Sequence, residues 1–280
     1  MARNVPKRLE PRRLVPGAKS VICLAASCAQ PDHREDSQDG ASRPFVARYA
    51  RGRNYHKALK NRCRRLMDSI RRVVPRFAGR AFVDAAPIAE RALAASCGVG
   101  WLGRNGMLIA PGAGSYVLLC EIVCNLQLEP TPPLEAGCGD CTRCIDACPN
   151  AAIRDDGLVD ARRCVSYLTI ENRGGIDEEL RSGMRTCVFG CDACQEACPH
   201  NSDVPPGDEE LLTRGASTAA RRSAGRNARA GETPGQPATL ADMLAWERQD
   251  WDAATRGHAT RRATWEMFLR NAAIAAGNSG

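Results

Sequence analysis

The sequence CGDCTRCIDACP, residues 138–149, decides the fold of a large part of this chain. Its spacing is C-x2-C-x2-C-x3-C-P, in which three thiolates on one short loop bind one [4Fe-4S] cluster and the fourth reaches a second cluster. A shorter run, CDACQEACP at residues 191–199, repeats the last three cysteine positions, and Val188 stands where the first would be. The two runs predict a ferredoxin-like fold that holds two clusters.

Two clusters need eight thiolate ligands, and the two runs supply seven of them: Cys138, Cys141, Cys144, Cys148, Cys191, Cys194 and Cys198. Two cysteines remain candidates for the eighth. Cys187 is one residue out of register with the second run, and Cys164 lies on a separate segment. Zinc is the alternative metal, but zinc sites are usually built from two separated C-x2-C pairs and do not need the C-P run.

The total of fifteen cysteines is odd, which excludes a framework in which every cysteine is paired within the chain. Closely spaced cysteines in a reducing compartment are more often metal ligands than disulfides. The cysteines outside the two runs and their eighth partner sit among apolar neighbours. We expect most of them to be small buried hydrophobic residues, namely Cys23, Cys28, Cys63, Cys97, Cys120 and Cys124.

The composition is that of a globular protein of about two domains, with 280 residues, 44% hydrophobic residues and a net charge of +7. No run reaches the 18 apolar residues of a membrane helix, since the best candidate, residues 116–124, is interrupted by Glu121. Residues 21–29 follow a basic lead and imitate a signal peptide ending at Cys28, but a short buried strand fits better. We therefore expect a cytoplasmic protein without a membrane span.

The pattern of apolar residues and turns predicts an α+β protein in four parts. Residues 1–130 form an α/β first domain, residues 131–201 the two-cluster domain, residues 202–239 a linker poor in apolar residues, and residues 240–280 a helical C-terminal segment. The expected elements of the first domain are strands at residues 21–29, 81–83 and 116–123, a helix at residues 87–97 and a glycine-rich turn at residues 98–106. The last helix, residues 265–276, has no obvious packing partner after it.

Residues 43–80 contain thirteen Lys and Arg but only one acid, Asp68, so this stretch carries +12 and the rest of the chain −5. Within it, apolar residues recur at helical spacing: Ala58, Leu59, Cys63, Leu66, Met67, Ile70 and Val73. The opposite face is basic, with Lys60, Arg62, Arg64, Arg65, Arg71 and Arg72. A solvated helix face is one interpretation, but basic residues without acidic neighbours favour a surface that binds a polyanion.

Asp84 is the acid of the first domain that points to chemistry. It ends the apolar strand at residues 81–83 and precedes Pro87. Side chains at strand ends project into ligand crevices. An Asp at this position can also cap the following helix, and the two roles are compatible.

Taken together, the motifs resemble the epoxyqueuosine reductase family. The resemblance is carried by RYARGRNYH at residues 48–56, VDAAPIAERALA at 83–94, GVGWLGRNGMLI at 98–109, GSYVLLCEI at 114–122 and FLRNAAIAAGN at 268–278, in addition to the cysteine runs. It implies an oxidoreductase that reduces epoxyqueuosine to queuosine at the wobble position of tRNA, the last step of queuosine biosynthesis. The implied reductant is cob(I)alamin, which receives electrons through two [4Fe-4S] clusters.

The resemblance also assigns residues. It gives one cluster Cys138, Cys141, Cys144 and Cys198, and the other Cys148, Cys164, Cys191 and Cys194. Asp84 becomes the proton donor, and we expect burial beside the corrin to raise its pKa so that it is protonated near neutral pH. The cobalamin would lie between the two domains, which implies a cobalamin-binding first domain, and would contact Asp84 together with Asn105, Leu108, Leu119, Ser166 and Asp192.

The implied partners are the anticodon stem-loop of tRNA and an electron-donor protein such as a flavodoxin or ferredoxin, with the chain itself a monomer. The tRNA phosphates would bind along the basic stretch, including Arg48, Arg51 and Arg53. The chain departs from the family at Asn54, where an Asp is usual. By the family pattern we also expect a segment of some fifty residues before the first strand, and continuation of the C-terminal helices into HEAT-like repeats, so the chain looks truncated at both ends.

Two other functions fit parts of the sequence. A cobalamin-dependent reductive dehalogenase shares the two clusters and the corrin but acts on a small molecule, and the basic stretch and the absence of an export signal count against it. A ferredoxin-type electron carrier with an added domain would need no cobalamin. Cobalamin uptake therefore separates the carrier from the enzymes, and tRNA binding separates the two enzymes.

Overall fold

The computed structural model of the protein describes residues 4–30, 43–135, 137–208, 211 and 239–279. The architecture is mixed α+β. Its strands are β1 Ser20–Ser27, β2 Phe45–Val46, β3 Gly79–Phe82, β4 Trp101–Leu102, β5 Leu108–Ile109, β6 Val117–Cys124 and β7 Cys187–Phe189. Its helices are α1 Val5–Leu9, α2 Arg48–Arg51, α3 Tyr55–Val73, α4 Glu90–Ser96, α5 Arg143–Asp146, α6 Val165–Ile170, α7 Glu178–Arg181, α8 Ala193–Glu196, α9 Leu240–Ala245, α10 Arg248–Thr255 and α11 Trp265–Gly277.

The main sheet has the strand order β1-β6-β3, and both pairings are antiparallel. The expectation of an α/β first domain is therefore wrong, because α/β domains are built on parallel strands joined by crossover helices. The apolar run of β6 explains its central place, since a strand paired on both edges and covered on both faces must be hydrophobic throughout. Glu121, in the middle of β6, is the exception.

One helix covers each face of this sheet. Helix α3 packs on the face that carries Cys120 and Ile122, and α4 packs near the opposite face, which carries Glu121 and Val123. Most of the predicted apolar face of α3 is buried. Leu66 and Val73 are exceptions, with 37% and 82% exposure, because Leu66 lies at the flank of the buried stripe and Val73 in the last turn of the helix.

The glycine-rich segment at residues 98–106 contains more than a turn. Strands β4 and β5 pair antiparallel across it, with Trp101 opposite Ile109. Gly106 has a φ of +72°, which a residue without a Cβ adopts freely, and this lets the hairpin reverse direction in four residues. The sequence pattern predicted only a turn here. It missed the hairpin because strands of two residues are too short to give a recognisable pattern.

Helices α5 and α8, which belong to the two cysteine runs, pack against each other. Strand β7 pairs in parallel with β2, and this pairing joins the cysteine-rich segment to the stretch that precedes α3. Gly114 reinforces the junction: it has a φ of +65°, and a Cβ there would lie 2.0 Å from the Asn201 side chain. Only glycine therefore allows the chain entering β6 to approach the second cysteine run this closely.

The C-terminal helix α11 has its packing partners before it in the chain. It packs on β7, α6 and α9. Asn271 is completely buried and donates hydrogen bonds to the carbonyl oxygens of Thr169 and Val188, at 3.0 and 2.9 Å. The amide of Asn271 thus ties the last helix to the cysteine-rich segment.

Most of the predicted linker, residues 209–210 and 212–238, lies outside the described residues. Its first residues are packed against the sheet: the N–H groups of Gly207 and Asp208 donate to the carbonyls of Ala29 and Ser27. Among the described residues no helix has the length and hydrophobicity needed to cross a membrane.

Candidate redox site and catalytic cleft

Four thiols line one cavity of about 80 Å³. They come from the first cysteine run and from the end of the second: Cys138, Cys141, Cys144 and Cys198. Trp101 and His200 pack edge to face beside them, with ring centroids 5.0 Å apart. The Trp101 ring lies so close to Gly137 that a Cβ there would be 2.7 Å from it. The hairpin β4–β5, which belongs to the first domain, therefore closes one side of this cavity.

A second group of thiols lies next to the first. The charge of Cys194 is coupled to those of Cys191, Cys164, Cys148 and Cys144. Cys164 in turn interacts with Cys191 and Cys148. Cys164 therefore lies close to the three remaining ligands of the two runs, which favours it as the eighth ligand. The Cys187 thiol forms a hydrogen bond with Cys191, one of these three cysteines.

Backbone N–H groups point at several of these sulfurs. The N–H of Ala152 donates to Cys148 Sγ at 3.2 Å, and the N–H groups of Ser166 and Tyr167 stabilise the thiolate of Cys164. Hydrogen bonds to cluster sulfurs are one of the means by which a protein sets a cluster potential. Ser166, expected to touch the corrin, therefore lies directly behind a cysteine of the second group.

The other cysteines are free thiols. Cys28, Cys63, Cys120 and Cys124 are buried, as predicted, and burial raises the pKa of Cys28 to about 12. Cys23 and Cys97 are only partly buried, and their sulfur atoms lie 3.5 Å apart.

A larger cleft of about 240 Å³ opens between β6 and the cysteine-rich segment. Val117, Leu118 and Leu119 form an apolar wall on one side, and Gln195 of α8 closes the other. Asp84 and Tyr55 lie at its polar end. The cleft thus has an ionisable side chain, Asp84, and Gln195, the residue that follows the thiol Cys194, in the wall of the same space.

Asp84 has a strained backbone. Its φ is +53°, which is unusual for a residue with a Cβ, and the N–H of Ala85 donates to the carbonyl of Val83 at 2.5 Å. Asp84 is therefore the central residue of a tight γ-turn of the rare kind with positive φ. Such strain persists only where neighbouring groups hold it, and it concentrates at functional sites. The N–H of Asp84 is held by Glu90 Oε1 at 2.5 Å.

Two side chains from the first turn of α3 hold the Asp84 carboxylate. The Tyr55 hydroxyl donates to Asp84 Oδ2 at 2.6 Å, and His56 Nε2 lies 3.4 Å from the same oxygen. The hydrogen bond from His56, and then that from Tyr55, lower the pKa of Asp84 although burial opposes them. The expectation of a raised pKa is thus wrong for this structure, because sequence reasoning counted the burial of Asp84 but not its two donors.

Asn54 begins α3. Its Oδ1 accepts the N–H of His56 at 3.0 Å and lies 2.9 Å from His56 Nδ1. The amide oxygen therefore caps the helix and orients the imidazole, so that Nε2 faces Asp84. A neutral side chain performs both tasks here, and the residue that departs from the family pattern keeps its structural role.

The expected corrin contacts fall in different places. Leu119 lines the cleft itself. Asn105 lines the neighbouring thiol cavity, and its Oδ1 accepts the N–H of Met107, which lines the cleft. Asn105 Nδ2 is buried and has no hydrogen-bond partner among the described residues, as expected for a group that awaits a ligand. Leu108, in β5, is 2% exposed.

Asp192 is buried behind the cleft and is already engaged. Its Oδ2 accepts the backbone N–H of Arg48 at 2.8 Å, and its Oδ1 accepts Gln195 Nε2 at 3.2 Å. The guanidinium of Arg48 contacts Glu196 and the Tyr116 hydroxyl. Asp192 therefore joins the two halves of the cleft, and its contact with a corrin stays a prediction.

The three arginines predicted to meet tRNA phosphates differ in their availability. Arg48 is 12% exposed and forms part of the interface just described, and Arg51 donates to the carbonyl of Val46 at 2.7 Å. Of the three, Arg53 alone is exposed. Arg48 and Arg51 are therefore engaged at the β2–β7 junction, and their contact with tRNA stays a prediction. The exposed basic residues follow α3 instead: Lys57, Lys60, Arg64, Arg65, Arg71 and Arg72.

Sequence reasoning gave no role to Tyr55, His56, Glu90 and Glu121, which surround Asp84. The first two lie in the motif RYARGRNYH, and Glu90 lies six residues after Asp84. Glu121 was noted only as an interruption of an apolar run. A single acid in the middle of a central strand was nevertheless a usable signal, since a buried charge without a purpose is costly.

A double iron–sulfur segment that opens onto a ligand cleft within one chain is typical of redox enzymes that deliver electrons to their own substrate site. Residues 137–201 match the family model described as "4Fe-4S double cluster binding domain". Residues 8–85 match the model "Epoxyqueuosine reductase QueG, DUF1730". The site and both matches thus define an iron–sulfur oxidoreductase.

The particular family follows from comparison with whole proteins. The epoxyqueuosine reductase of Xanthomonas campestris pv. campestris is 40% identical over 281 residues, which cover 100% of this chain and 74% of that protein. A crystal structure of epoxyqueuosine reductase with a tRNA-Tyr epoxyqueuosine-modified stem-loop superposes with a TM-score of 0.83 at 28% identity, covering 99% of this chain and 69% of that one. The chain belongs to the epoxyqueuosine reductase family.

A Bacillus subtilis epoxyqueuosine reductase gives a TM-score of 0.81 at 26% identity, covering 99% of this chain and 69% of that one. In that structure the loop of the catalytic aspartate is swung out of the active site.

Proposed function

We propose that this chain reduces epoxyqueuosine in tRNA to queuosine, the last step of queuosine biosynthesis. The observation that carries the proposal is the position of Asp84 in a cleft that is also lined by Gln195, the residue that follows Cys194 of the second thiol group. Removal of the epoxide oxygen takes up two electrons and two protons, leaves a carbon–carbon double bond and releases the oxygen as water. This arrangement can supply the electrons through the clusters and the first proton at the opening oxygen.

The donor sets fit two [4Fe-4S] clusters. Cys138, Cys141, Cys144 and Cys198 would hold one, since they share a cavity, and the group around Cys194 would hold the other. Electrons supplied one at a time by a partner protein can pass through such adjacent clusters. The ligand set is a proposal, and the place of Cys164 in the second group supports it.

The cleft would hold part of a cobalamin against the apolar wall on β6. The buried amide of Asn105, unpartnered among the described residues, would donate to it from the neighbouring thiol cavity. Leu119 and Asn105 would contact the cofactor through their side chains, while Leu108, Ser166 and Asp192 lie one layer behind. When bound, cobalamin supplies a strongly reducing cobalt centre for opening the epoxide. The residues of this chain bind it and exclude water from it.

The proton reaches the substrate through Asp84. Because the hydrogen bonds from His56 and Tyr55 lower its pKa, Asp84 is an anion near neutral pH and must receive a proton before it can donate one. His56 Nε2 lies 3.4 Å from Asp84 Oδ2. Burial and the neighbouring Asp84 raise the pKa of Tyr55, which therefore remains a hydrogen-bond donor. We propose that Asp84 accepts the proton of His56 and passes it to the alkoxide that forms as the epoxide opens.

The tRNA stem-loop would bind along α3. This helix begins at the cleft with Tyr55 and continues for 19 residues, about 28 Å at 1.5 Å per residue. Its exposed face carries the Lys and Arg side chains named above, which can neutralise successive phosphates while the modified base enters the cleft. Arg262, which interacts with the charge of Asp84, adds a cation at the mouth.

The test is turnover by protein loaded with iron, sulfide and cobalamin, with a low-potential reductant and an epoxyqueuosine stem-loop. Nucleoside mass spectrometry should show queuosine. A small chlorinated aromatic compound under the same conditions should not be dehalogenated. Turnover of that compound in place of the stem-loop would favour a reductive dehalogenase, and failure to take up cobalamin would favour an electron carrier.

The remaining assignments complete the proposal. Residues 1–130 would be the cobalamin-binding domain and residues 131–201 the two-cluster domain, while α9 to α11 would begin a HEAT-like repeat. A flavodoxin or ferredoxin would donate the electrons to a monomeric chain in the cytoplasm.

A further inference from the structure

Glu121 is a buried acid that the reaction outlined above does not use. It lies in the central strand β6 with a completely buried side chain. Neither of its carboxylate oxygens meets an N–H or O–H donor among the residues that the structure describes. Its neighbour on this face of the sheet is the carboxyl group of Glu90, with which it can form a hydrogen bond only if one of the two is protonated.

Two carboxyl groups in contact away from water retain one proton between them, because two adjacent negative charges are strongly unfavourable. Burial, and then the charge and hydrogen bond of Glu90, raise the pKa of Glu121 to about 9. Burial also raises the pKa of Glu90, opposed by the bond it accepts from the Asp84 N–H. The proton of the pair therefore resides on Glu121, and Glu90 acts as the acceptor.

Glu90 connects this pair to the proposed catalytic residue. Its Oε1 accepts the backbone N–H of Asp84 at 2.5 Å, at the centre of the strained γ-turn. A protonated Glu121 can therefore donate to Glu90, whose Oε1 accepts the Asp84 backbone N–H. Glu90 lines the cleft, whereas Glu121 is not among its lining residues.

We propose that Glu121 is a positioning residue: its protonated carboxyl group holds Glu90, and Glu90 holds the Asp84 N–H, so that the strained turn keeps the Asp84 carboxylate at the cleft. The inference rests on the function proposed above, and it adds hydrogen bonds that hold the loop of Asp84 in place. Loss of the shared proton would release that loop.

Among the described residues, the titratable groups that face the pair are thiols, the Asp84 carboxylate, the Tyr55 phenol and one imidazole. Cys23 lies opposite Glu121 on β1, Cys120 precedes it on β6, and Cys63 of α3 lies beyond the sheet. Asp84 and His56 act on Glu90 from the cleft side. Of these groups only the imidazole can carry a positive charge. The others cannot stabilise the pair once its shared proton is lost.

The test compares Glu121→Leu with Glu121→Gln in protein reconstituted with its clusters. Leucine fills the site but cannot donate to Glu90, while the glutamine amide can donate without titrating. Ile122→Val is the matched control, because Ile122 is equally buried on the other face of β6. The readouts are the hydrogen-exchange protection of the amides at residues 83–88 across pH 6–10 and the single-turnover rate at pH 7.

For Glu121→Leu we expect about a tenfold loss of protection at Asp84 and a comparable fall in rate, with the affinity for the stem-loop within twofold of wild type. Glu121→Gln should restore most of the protection. In the wild type the protection factor, corrected for base-catalysed exchange, should fall near pH 9, and in Glu121→Gln this fall should be absent. Ile122→Val should behave as the wild type does.

Wild-type protection of the Asp84 amide in Glu121→Leu would overturn the proposal, as would a fall near pH 9 that persists in Glu121→Gln. The exchange measurement needs no turnover. An inactive wild type would therefore contradict the proposed function alone, while the exchange result would still decide the role of Glu121.

Discussion

The two halves of the site are built differently. Seven of the eight candidate ligand thiols lie in two short runs, residues 138–148 and 191–198, and each run folds around a helix of four residues. The Asp84 cleft instead brings together the first turn of α3, the turn after β3, the start of β6 and one residue of α8. A change in the first half should remove a whole cofactor, whereas a change in the second should alter rates and pH dependence by degrees.

The largest effect is expected at the one thiol that the runs do not supply. Cys164→Ser should cost one cluster, so that reconstituted protein binds about four iron atoms per chain instead of about eight and loses turnover. Cys187→Ser is the matched control, because the Cys187 thiol forms a hydrogen bond with Cys191 but is not a proposed cluster ligand. This variant should keep both clusters. Iron and sulfide analysis measures the difference. Full loading of Cys164→Ser would show that the second group is closed by another ligand.

An intermediate effect is expected on the basic face of α3. Arg64→Glu combined with Arg65→Glu should weaken binding of the tRNA stem-loop at least tenfold at low salt. It should also flatten the salt dependence, because each lost phosphate contact removes a released counterion. Arg154→Glu, an exposed arginine paired with Asp156 in the cysteine-rich segment, serves as the control. Equal affinities of both proteins at every salt concentration would exclude α3 as the tRNA surface.

The smallest effect is expected at the residue that departs from the family. Asn54→Asp places an anion beside His56 Nδ1, which favours the protonated imidazole. The alkaline limb of the pH–rate profile should therefore move upward by about one pH unit, with little change in the maximal rate. Asn54→Ser, a neutral helix cap, should leave the limb in place. A profile that does not move in Asn54→Asp would remove His56 from the proton path.

The same contrast explains what could be predicted from sequence. Thiol ligands in C-x2-C spacing are local in the chain, so their chemistry can be inferred without knowing the fold. The proton partners of Asp84 cannot be found this way, because Tyr55 lies 29 residues before it and meets it only when α3 packs on the sheet. The wrong direction for the pKa of Asp84 has this cause.

Pairing direction was the other feature that periodicity could not reveal. The alternation of strands and helices suggested α/β, but β1 and β3 both run antiparallel to β6. The apolar pattern of a buried strand is the same in either direction. Cys164 was left open for a related reason, since only the packing of its segment against the second run places its sulfur beside Cys191 and Cys148.

The most direct test of the account is a single turnover of the epoxyqueuosine stem-loop by wild type and by Asp84→Asn, both loaded with cobalamin and clusters. Asparagine keeps the shape of the side chain but cannot relay a proton. The account predicts queuosine from the wild type and a rate at least 100-fold lower from Asp84→Asn, with equal cobalamin content and equal affinity for the stem-loop. A rate for Asp84→Asn close to that of the wild type would contradict the central claim that Asp84 delivers the proton in this cleft.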